Sequence, residues 1–241
     1  MKKIILTGCV ALSALFAGSL NAQTYAEVEK ATDATPFSIE ALVTGGNTGI
    51  NWNAPSLRAR YFVSDNIAAR VQLSLGDGSG SAMTEKNRFY EFNDGTKGGE
   101  GLQEIKRAAV ALQLGGEYHF LGTKKLDPYA ALGVNFSIGK QNETWDMYDG
   151  TGYNSAVTSE QSGGYFGIGA QLGLGMDFYF VENVYVGLEL GVAVHGTTHK
   201  DRVGETTVTS GGTSTTSTTE FAGYKDSYVT NFASLRLGWR F

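Results

Sequence analysis

Apolar side chains occupy every second position over much of this chain, and the alternation recurs in eight separate segments. The fullest example runs from Phe166 to Phe180, where large apolar residues alternate mainly with glycine, glutamine and aspartate. A period of two is the spacing of a β-strand with one apolar face, whereas an amphipathic helix repeats every 3.6 residues. The pattern therefore predicts eight strands, which cover residues 37–43, 57–63, 67–75, 107–120, 129–138, 166–180, 184–195 and 229–241.

The connections between these segments alternate between short and long. Turn residues such as Ser64-Asp65-Asn66 and Glu182-Asn183 join two pairs of strands closely. Three other connections, residues 76–103, 140–163 and 199–225, are long and polar, and the Thr/Ser/Gly stretch from Thr206 to Thr219 predicts a mobile loop. Short periplasmic turns and longer outer loops are typical of outer-membrane barrels, so we expect the three long segments outside the cell.

Hydropathy and composition limit the fold further. After residue 22 the sequence has no unbroken apolar stretch long enough for a spanning helix. Its 33 glycines, 12 tyrosines, 13 phenylalanines and only 3 prolines suit many strands. Helices and closed barrels are the structures that satisfy every backbone polar group in hydrocarbon. The sequence therefore predicts an all-β protein, an eight-stranded antiparallel up-and-down transmembrane β-barrel.

The two faces of the strands show which side meets lipid. A soluble lipocalin-like barrel would place the apolar set inside, around a ligand, and a charged set in water. Here the non-apolar set consists largely of glycine and isolated charges, while the apolar set is nearly unbroken over all eight strands. That arrangement favours an apolar band facing lipid and a polar lumen.

The predicted lumen carries six arginines against four carboxylates. Charges removed from bulk water must pair and form hydrogen bonds, and arginine suits such pairing because its planar guanidinium stays protonated. We therefore expect a network of ion pairs that fills the narrow lumen and leaves no wide pore. Its predicted members are Glu40, Arg58, Arg60, Arg70, Arg107, Glu117, Asp177, Glu189, Arg236 and Arg240.

Aromatic residues gather at the strand ends next to the short turns. Rings at the edge of an apolar band place their bodies in the acyl boundary and their polar tips near the head groups. We therefore expect a periplasmic aromatic girdle composed of Tyr61, Phe62, Tyr118, Phe120, Tyr129, Phe178, Tyr179, Phe180, Tyr185, Trp239 and Phe241.

The N-terminus has the layout of a secretory signal peptide. Lys2 and Lys3 precede an apolar run from Ile4 to Leu20, and small residues lead to Ala22. We predict a signal peptide over residues 1–22, a periplasmic lead-in over 23–35 and the barrel domain over 36–241. Cys9 lies within the signal peptide, so the mature chain contains no cysteine. Removing Lys2 and Lys3 changes the net charge from −5 to −7, which argues against nucleic acid as a partner.

The last strand carries a further pattern. Leu235, Leu237, Trp239 and Phe241 alternate with polar or small residues up to the final aromatic side chain. Together with the eight-strand plan over residues 36–241, this pattern resembles the small outer-membrane barrels typified by OmpA transmembrane domains and OmpX. The resemblance implies that the barrel-assembly machinery recognises these four residues. Some OmpA-type proteins carry a peptidoglycan-binding domain after the barrel, and we expect none here because the sequence ends at Phe241.

The sequence offers few candidates for a catalytic, calcium-binding or nucleotide-binding site. His195 and His199 lie near the outer end of the seventh predicted strand, yet no serine follows them in a motif expected of a lipid-modifying enzyme. The Asp77-Gly78-Ser79-Gly80 and Asn93-Asp94-Gly95 segments lack the regular carboxylate spacing of an EF-hand loop. The glycine pairs near Gly169 and Gly173 fall within a strand, unlike a nucleotide fingerprint. We predict no catalytic residue, no metal and no cofactor.

Three hypotheses about function follow, in order of preference. The first is a non-enzymatic barrel with a structural role or with outer loops that contact partners. The second is a narrow channel for small or hydrophobic solutes, similar to OmpW-like barrels, and the third is a lipid-modifying enzyme. The expected partners are outer-membrane lipid and lipopolysaccharide, the barrel-assembly machinery and an extracellular partner of the loops, and the expected oligomeric state is a monomer.

Overall fold

A computed structural model describes residues 35–46, 49–76, 84–93, 96–120, 122–148 and 156–241. The predicted signal peptide and most of the predicted lead-in lie outside the described residues, as do the turn segments at 77–80 and 94–95. Within the described ranges the chain forms eleven β-strands. They are β1 (Phe37–Gly46), β2 (Gly49–Ser64), β3 (Ile67–Leu75), β4 (Thr84–Asn93), β5 (Thr96–His119), β6 (Leu126–Tyr148), β7 (Ala156–Val181), β8 (Val184–His199), β9 (Arg202–Ser210), β10 (Thr213–Phe221) and β11 (Lys225–Arg240).

Eight of these strands close into a ring. The order around it is β1, β2, β3, β5, β6, β7, β8 and β11, and every neighbouring pair is antiparallel. The last strand closes the ring by pairing with the first, from Ser38 opposite Arg240 to Gly45 opposite Ala233. The predicted eight-stranded antiparallel barrel is therefore confirmed. In the part of the chain described here, no helix is both long and apolar enough to cross a membrane.

Side chains alternate between the two surfaces of the ring in the predicted sense. On β3 the large apolar residues Ile67, Val71, Leu73 and Leu75 are exposed, whereas Arg70 is buried. The same inversion holds on the other ring strands, where most of the exposed large side chains are Val, Leu, Ile and Phe and most of the buried ones are polar or charged. An apolar exterior around a polar interior is the arrangement of a barrel that meets lipid.

Short connections join the ring strands at one end of the barrel, which we call the turn end. Asp65 and Asn66 connect β2 to β3, Glu182 and Asn183 connect β7 to β8, and residues 120–125 connect β5 to β6. Asn183 has a backbone φ of 65°. This left-handed conformation is one that asparagine tolerates better than most residues, so the tight β7–β8 turn is locally favoured.

The opposite end, which we call the hairpin end, differs from the sequence-based expectation. Within the predicted loop 76–103 the structure contains β4 and the beginning of β5, and within 140–163 it contains the end of β6 and the beginning of β7. The expectation that Thr206–Thr219 lies in a loop without regular structure is wrong, because β9 and β10 form a regular hairpin there. β10 is exposed along its whole length, and the other added segments carry too few buried apolar side chains to show a sustained alternation.

The additional strands extend one side of the barrel wall. β4 pairs with the first half of β5, β9 pairs with the first part of β7, and β10 pairs with β9. The wall at the hairpin end is therefore a six-stranded sheet in the order β4, β5, β6, β7, β9 and β10. Among the described residues, its outermost strands β4 and β10 pair on one edge only.

Aromatic rings inside the turn end lie against glycine residues. Tyr129 occupies the space that a side chain at Gly175 would need, and Tyr185 does the same at Gly238. The predicted aromatic girdle is corrected on this point: Phe62, Tyr129, Tyr179 and Tyr185 are buried inside the barrel. Their positions at strand ends resemble those of girdle residues, but the alternation of the strand turns them inward.

Substitution of Gly238 tests this packing. In the Gly238→Ala variant the new methyl group would collide with the ring of buried Tyr185, so we expect a loss of about 1–3 kcal/mol in the free energy of unfolding. Urea titration of the refolded protein in detergent measures the loss. The matched control is Gly116→Ala, because a methyl group there meets only the Ala68 carbonyl oxygen at 3.8 Å. Equal stability of the two variants would contradict the packing argument.

Candidate functional site: an ion cluster in the lumen

The structure brings eight of the ten predicted lumen residues together near the turn end. They lie on seven ring strands, and each is buried because strand alternation turns it inward. We call this group the lumen ion cluster. Its members are Glu40 on β1, Arg58 and Arg60 on β2, Arg70 on β3, Glu117 on β5, Asp177 on β7, Glu189 on β8 and Arg236 on β11.

Glu40 and Asp177 form one half of the cluster with two arginines. Arg236 lies 3.2 Å from Glu40 Oε1 through Nη1 and 2.7 Å from Asp177 Oδ1 through Nη2. Arg60 Nη2 lies 3.0 Å from Glu40 Oε1 and 2.7 Å from Asp177 Oδ2. Each guanidinium therefore bridges the same two carboxylates, which holds β1, β2, β7 and β11 together.

Glu117 and Glu189 form the other half. Arg70 Nη1 lies 3.2 Å from Glu117 Oε1 and 3.0 Å from Glu189 Oε2. Arg58 Nη1 lies 2.9 Å from the same Glu189 oxygen. Arg60 joins the two halves, because its Nη1 lies 3.0 Å from Glu117 Oε2.

These contacts cross the lumen rather than follow its wall. The Arg70–Glu189 pair joins β3 to β8, and the Arg60–Asp177 pair joins β2 to β7; in both cases three strands separate the partners in either direction around the ring. The remaining ring strand, β6, is included through Tyr129, whose hydroxyl donates to Glu189 Oε2 at 2.8 Å. All eight ring strands therefore contribute to one network of ion pairs and hydrogen bonds.

The charges of the cluster balance. Four guanidinium groups face four carboxylates, and the side chains of seven of the eight residues are fully enclosed, with only Arg58 retaining a trace of exposure. Removing a charge from water costs several kcal/mol unless a well-placed partner compensates. Each carboxylate has two or more arginine partners, so removal of any one charge leaves buried groups of opposite charge without full compensation.

A histidine extends the cluster toward the turn end. His119 lies 3.3 Å from Glu117 Oε2 through Nε2 and 3.0 Å from Asp127 Oδ2 through Nδ1. Asp127 was absent from the sequence-based set of lumen residues, as were Tyr129 and Tyr185. The Tyr185 hydroxyl donates to Glu40 Oε1 at 2.6 Å. The alternation along β6 contains the signal that could have found Asp127, because it lies on the same face as Tyr129.

The two remaining predicted members, Arg107 and Arg240, lie outside the cluster. Arg107 is nearer the hairpin end, where its Nη1 lies 3.1 Å from Glu85 Oε2 on β4. Hydrogen bonds from Asn87 and Arg107 lower the pKa of Glu85, which is outside the ring. Arg240 lies at the turn end and donates from Nη1 to Thr35 Oγ1 at 2.9 Å. Both side chains share the inward face of the cluster residues but differ from them in height along the barrel.

The four residues of the predicted assembly signal lie on the outer surface. Leu235, Leu237, Trp239 and Phe241 are all exposed, each separated by an inward-facing residue. Phe241 also takes part in closure, because its backbone N–H donates to the Phe37 carbonyl at 2.9 Å and its ring stacks on that of Phe37 at 6.2 Å. The end of the sequence is therefore part of the seam between the first and last strands.

The residues considered for catalysis pack against aromatic rings. The ring of His195 stacks on Tyr228 with centroids 5.2 Å apart, and that of His199 stacks on Tyr224 at 4.2 Å. His199 Nε2 also lies 3.1 Å from Asp226 Oδ2. Over the described ranges, no three His, Cys, Asp or Glu side chains are grouped so that they could hold a metal ion.

The inverted barrel with its polar interior defines an integral β-barrel of the outer membrane. The sequence pattern of the OmpA-OmpF-like porin family matches residues 51–200. Because the match covers more than half of the sequence, the chain belongs to this family. No curated protein sequence matches the chain.

Solved structures of outer-membrane proteins are similar to the chain over most of its length. The N-terminal β-barrel domain of Pseudomonas aeruginosa OprF is 16% identical, with 86% of this chain and 98% of that chain covered and a TM-score of 0.35. Acinetobacter baumannii CarO is 10% identical over 88% of this chain and 100% of that chain, with a TM-score of 0.40. Yersinia pestis Ail is 10% identical over 86% and 97%, with a TM-score of 0.30.

Neutralising one arginine tests the energetics of the cluster. Arg236→Met leaves Glu40 and Asp177 short of one partner in an enclosed site, so we expect a loss of about 3–5 kcal/mol in the free energy of unfolding. The control is Arg88→Met, which breaks the exposed Arg88–Glu100 pair and should cost less than about 1 kcal/mol. Urea titration of both variants measures the difference, and similar losses would contradict the analysis.

Proposed function

We propose that this protein is a non-enzymatic outer-membrane barrel with a closed lumen, and that it acts through its structure and its outer surface rather than by transport. The observation that carries the proposal is the lumen ion cluster. Contacts between opposite strands cross the lumen at one level, and an eight-stranded barrel has an interior that side chains can fill. An ion or solute would have to separate buried pairs in order to pass.

The proposal includes an orientation. The turn end faces the periplasm and the hairpin end faces outward, because short periplasmic turns and long outer segments are usual in such barrels. The apolar band then contacts membrane lipid and lipopolysaccharide, and Leu235, Leu237, Trp239 and Phe241 present their alternating side chains to the barrel-assembly machinery. The extended wall of β4, β5, β6, β7, β9 and β10 is the part available to an extracellular partner.

The packing of the two histidines supports the non-enzymatic assignment. His195 and His199 each stack on a tyrosine, and His199 is also paired with Asp226. These contacts account for both side chains as structural elements of the wall. A narrow solute channel remains the second hypothesis, and it requires the lumen ion cluster to open.

Conductance across a planar bilayer tests the closed lumen. We expect the purified, folded protein to show no reproducible open state. In the Glu189→Ala variant, Arg58 and Arg70 lose a shared partner and the Tyr129 hydroxyl loses its acceptor, so we expect brief openings. The control is Glu85→Ala, which removes a partner of Arg107 outside the cluster and should leave the bilayer silent.

Folding must be checked before each recording. A folded barrel should migrate differently on a detergent gel before and after boiling, and only such samples are suitable. Reproducible single-channel steps from the folded, unsubstituted protein would overturn the closed-lumen proposal.

A further inference from the structure

β10 is an unusual strand because it buries almost nothing. All nine of its residues are exposed, and within the described residues its only strand partner is β9. The pairing with β9 runs without a register shift from Thr213 opposite Ser210 to Phe221 opposite Arg202. One edge of β10 therefore presents a regular row of backbone groups.

The turn identifies the residues that face this edge. Gly211 and Gly212 both have positive φ, 58° and 81°, as a two-residue hairpin turn of type I′ requires. The flanking Ser210–Thr213 pair exchanges backbone hydrogen bonds, and such pairs alternate with pairs that do not. Ser214, Thr216 and Thr218 therefore direct their N–H and C=O groups to the open edge. Side-chain hydrogen bonds of 2.8 Å at Thr207–Thr216 and Thr209–Ser214 agree with this assignment, because side chains are closer in such pairs.

The open edge lacks the features that normally prevent pairing. Natural edge strands carry lysine, proline, a bulge or an inward charge, and each of these discourages a second strand. From Thr213 to Thr219 the sequence is Thr-Ser-Thr-Thr-Ser-Thr-Thr, with no charge and no proline. Threonine has a high preference for strands. This edge is suited to the addition of another extended strand.

We propose that the partner strand is β10 of a second copy of this chain, in a facing membrane. Antiparallel pairing centred on Thr216 places this residue opposite its counterpart. Thr215 then faces Ser217, Ser214 faces Thr218 and Thr213 faces Thr219, so every opposed pair consists of hydroxyl-bearing residues. Opposed threonine and serine side chains favour strand pairing.

Charge also fits a pairing between identical strands. Glu220 is the only charged residue of β10, and in this register it faces Gly212 of the other copy. The two Glu220 carboxylates therefore lie at opposite ends of the paired segment. No like charges are opposed, whereas β4 carries Glu85, Lys86, Arg88 and Glu91 among its ten residues and so lacks a neutral segment of this length.

Symmetry selects copies in facing membranes. Two identical strands that pair antiparallel are related by a two-fold axis perpendicular to the sheet. Because β9 continues the wall formed by β7, the sheet stands along the barrel, and this axis lies in the plane of the membrane. Copies in one membrane share one upright orientation and cannot be related in this way, whereas copies in two apposed membranes can.

A single contact of this kind is weak, but a membrane carries many copies. Pairing at several points raises the effective concentration at each neighbouring point, so apposed membranes can adhere strongly. The inference rests on the proposed orientation, with the hairpin end outward. It does not depend on the closed lumen, so conductance and adhesion test the two ideas separately.

Adhesion of vesicles tests the inference. Vesicles of phosphatidylcholine and phosphatidylglycerol containing the full folded protein should aggregate, as measured by turbidity. The Thr216→Pro variant should lower aggregation at least about tenfold. The backbone N–H of Thr216 points to the open edge. Its loss in the proline variant therefore leaves the pairing with β9 intact and the hairpin folded. Thr216→Val is the matched control and should aggregate like the unsubstituted protein.

A charge exchange tests the register. In the proposed register, two copies of the Thr216→Lys variant place one lysine opposite another, and two copies of Thr216→Glu place one glutamate opposite another. Vesicles that carry either variant alone should therefore stay dispersed. A mixture of the two populations opposes lysine to glutamate and should aggregate again. Failure of the mixture to aggregate, or aggregation of either variant alone, would overturn pairing centred on Thr216.

A disulfide provides direct evidence of the contact. The predicted mature chain contains no cysteine, and a hydrogen-bonded antiparallel pair brings its Cα atoms to about 5.5 Å, within disulfide range. Thr216→Cys should therefore form a dimer between vesicles under mild oxidation. Thr219→Cys should not, because the two copies of residue 219 lie at opposite ends of the paired segment. Dispersed vesicles of the unsubstituted protein, or dimers that form within single vesicles without aggregation, would refute the proposal.

Discussion

Eight charged side chains share a space from which water is excluded, and the rest of the barrel depends on their mutual neutralisation. Four arginines and four carboxylates meet there, each with two or more opposite charges in contact. The desolvation cost of any one of them is compensated only while its partners stay in place. Because the partners come from different strands, the ring has to close in the correct order before the charges are satisfied.

The same requirement determines where the small residues lie. Tyr129 and Tyr185 donate hydrogen bonds to Glu189 and Glu40, and their rings need room beside Gly175 and Gly238. A side chain at either glycine would displace a ring and, with it, a hydroxyl donor. Aromatic packing and ion pairing therefore form one structure at the turn end. The barrel interior also contains a small buried cluster of Phe62, Ala68, Tyr179 and Tyr185.

The hairpin end obeys a different constraint. Its strands extend beyond the ring, and β10 is exposed along its whole length, so backbone hydrogen bonds and turn geometry stabilise the β9–β10 hairpin in place of apolar burial. A wall built in this way has edges, and the neutral edge of β10 differs from the charged sequence of β4. One protein thus combines a lumen that contains buried ion pairs with a sheet at the hairpin end whose outermost strands, among the described residues, pair on one edge only.

The sequence by itself determined the eight ring strands and the face of most side chains, because an apolar band against lipid imposes a period of two; four aromatic residues assigned to the girdle nevertheless lie inside the barrel. It could not determine which inward charges meet. Arg107 and Arg240 share the inward face of Arg60, yet they lie at other heights in the barrel, and height follows from the register between strands. Asp127 and Tyr129 join the cluster for the same reason. Strands β4, β9 and β10 were invisible to the apolar pattern because none of them has a continuous buried apolar face, and only the tertiary structure revealed them.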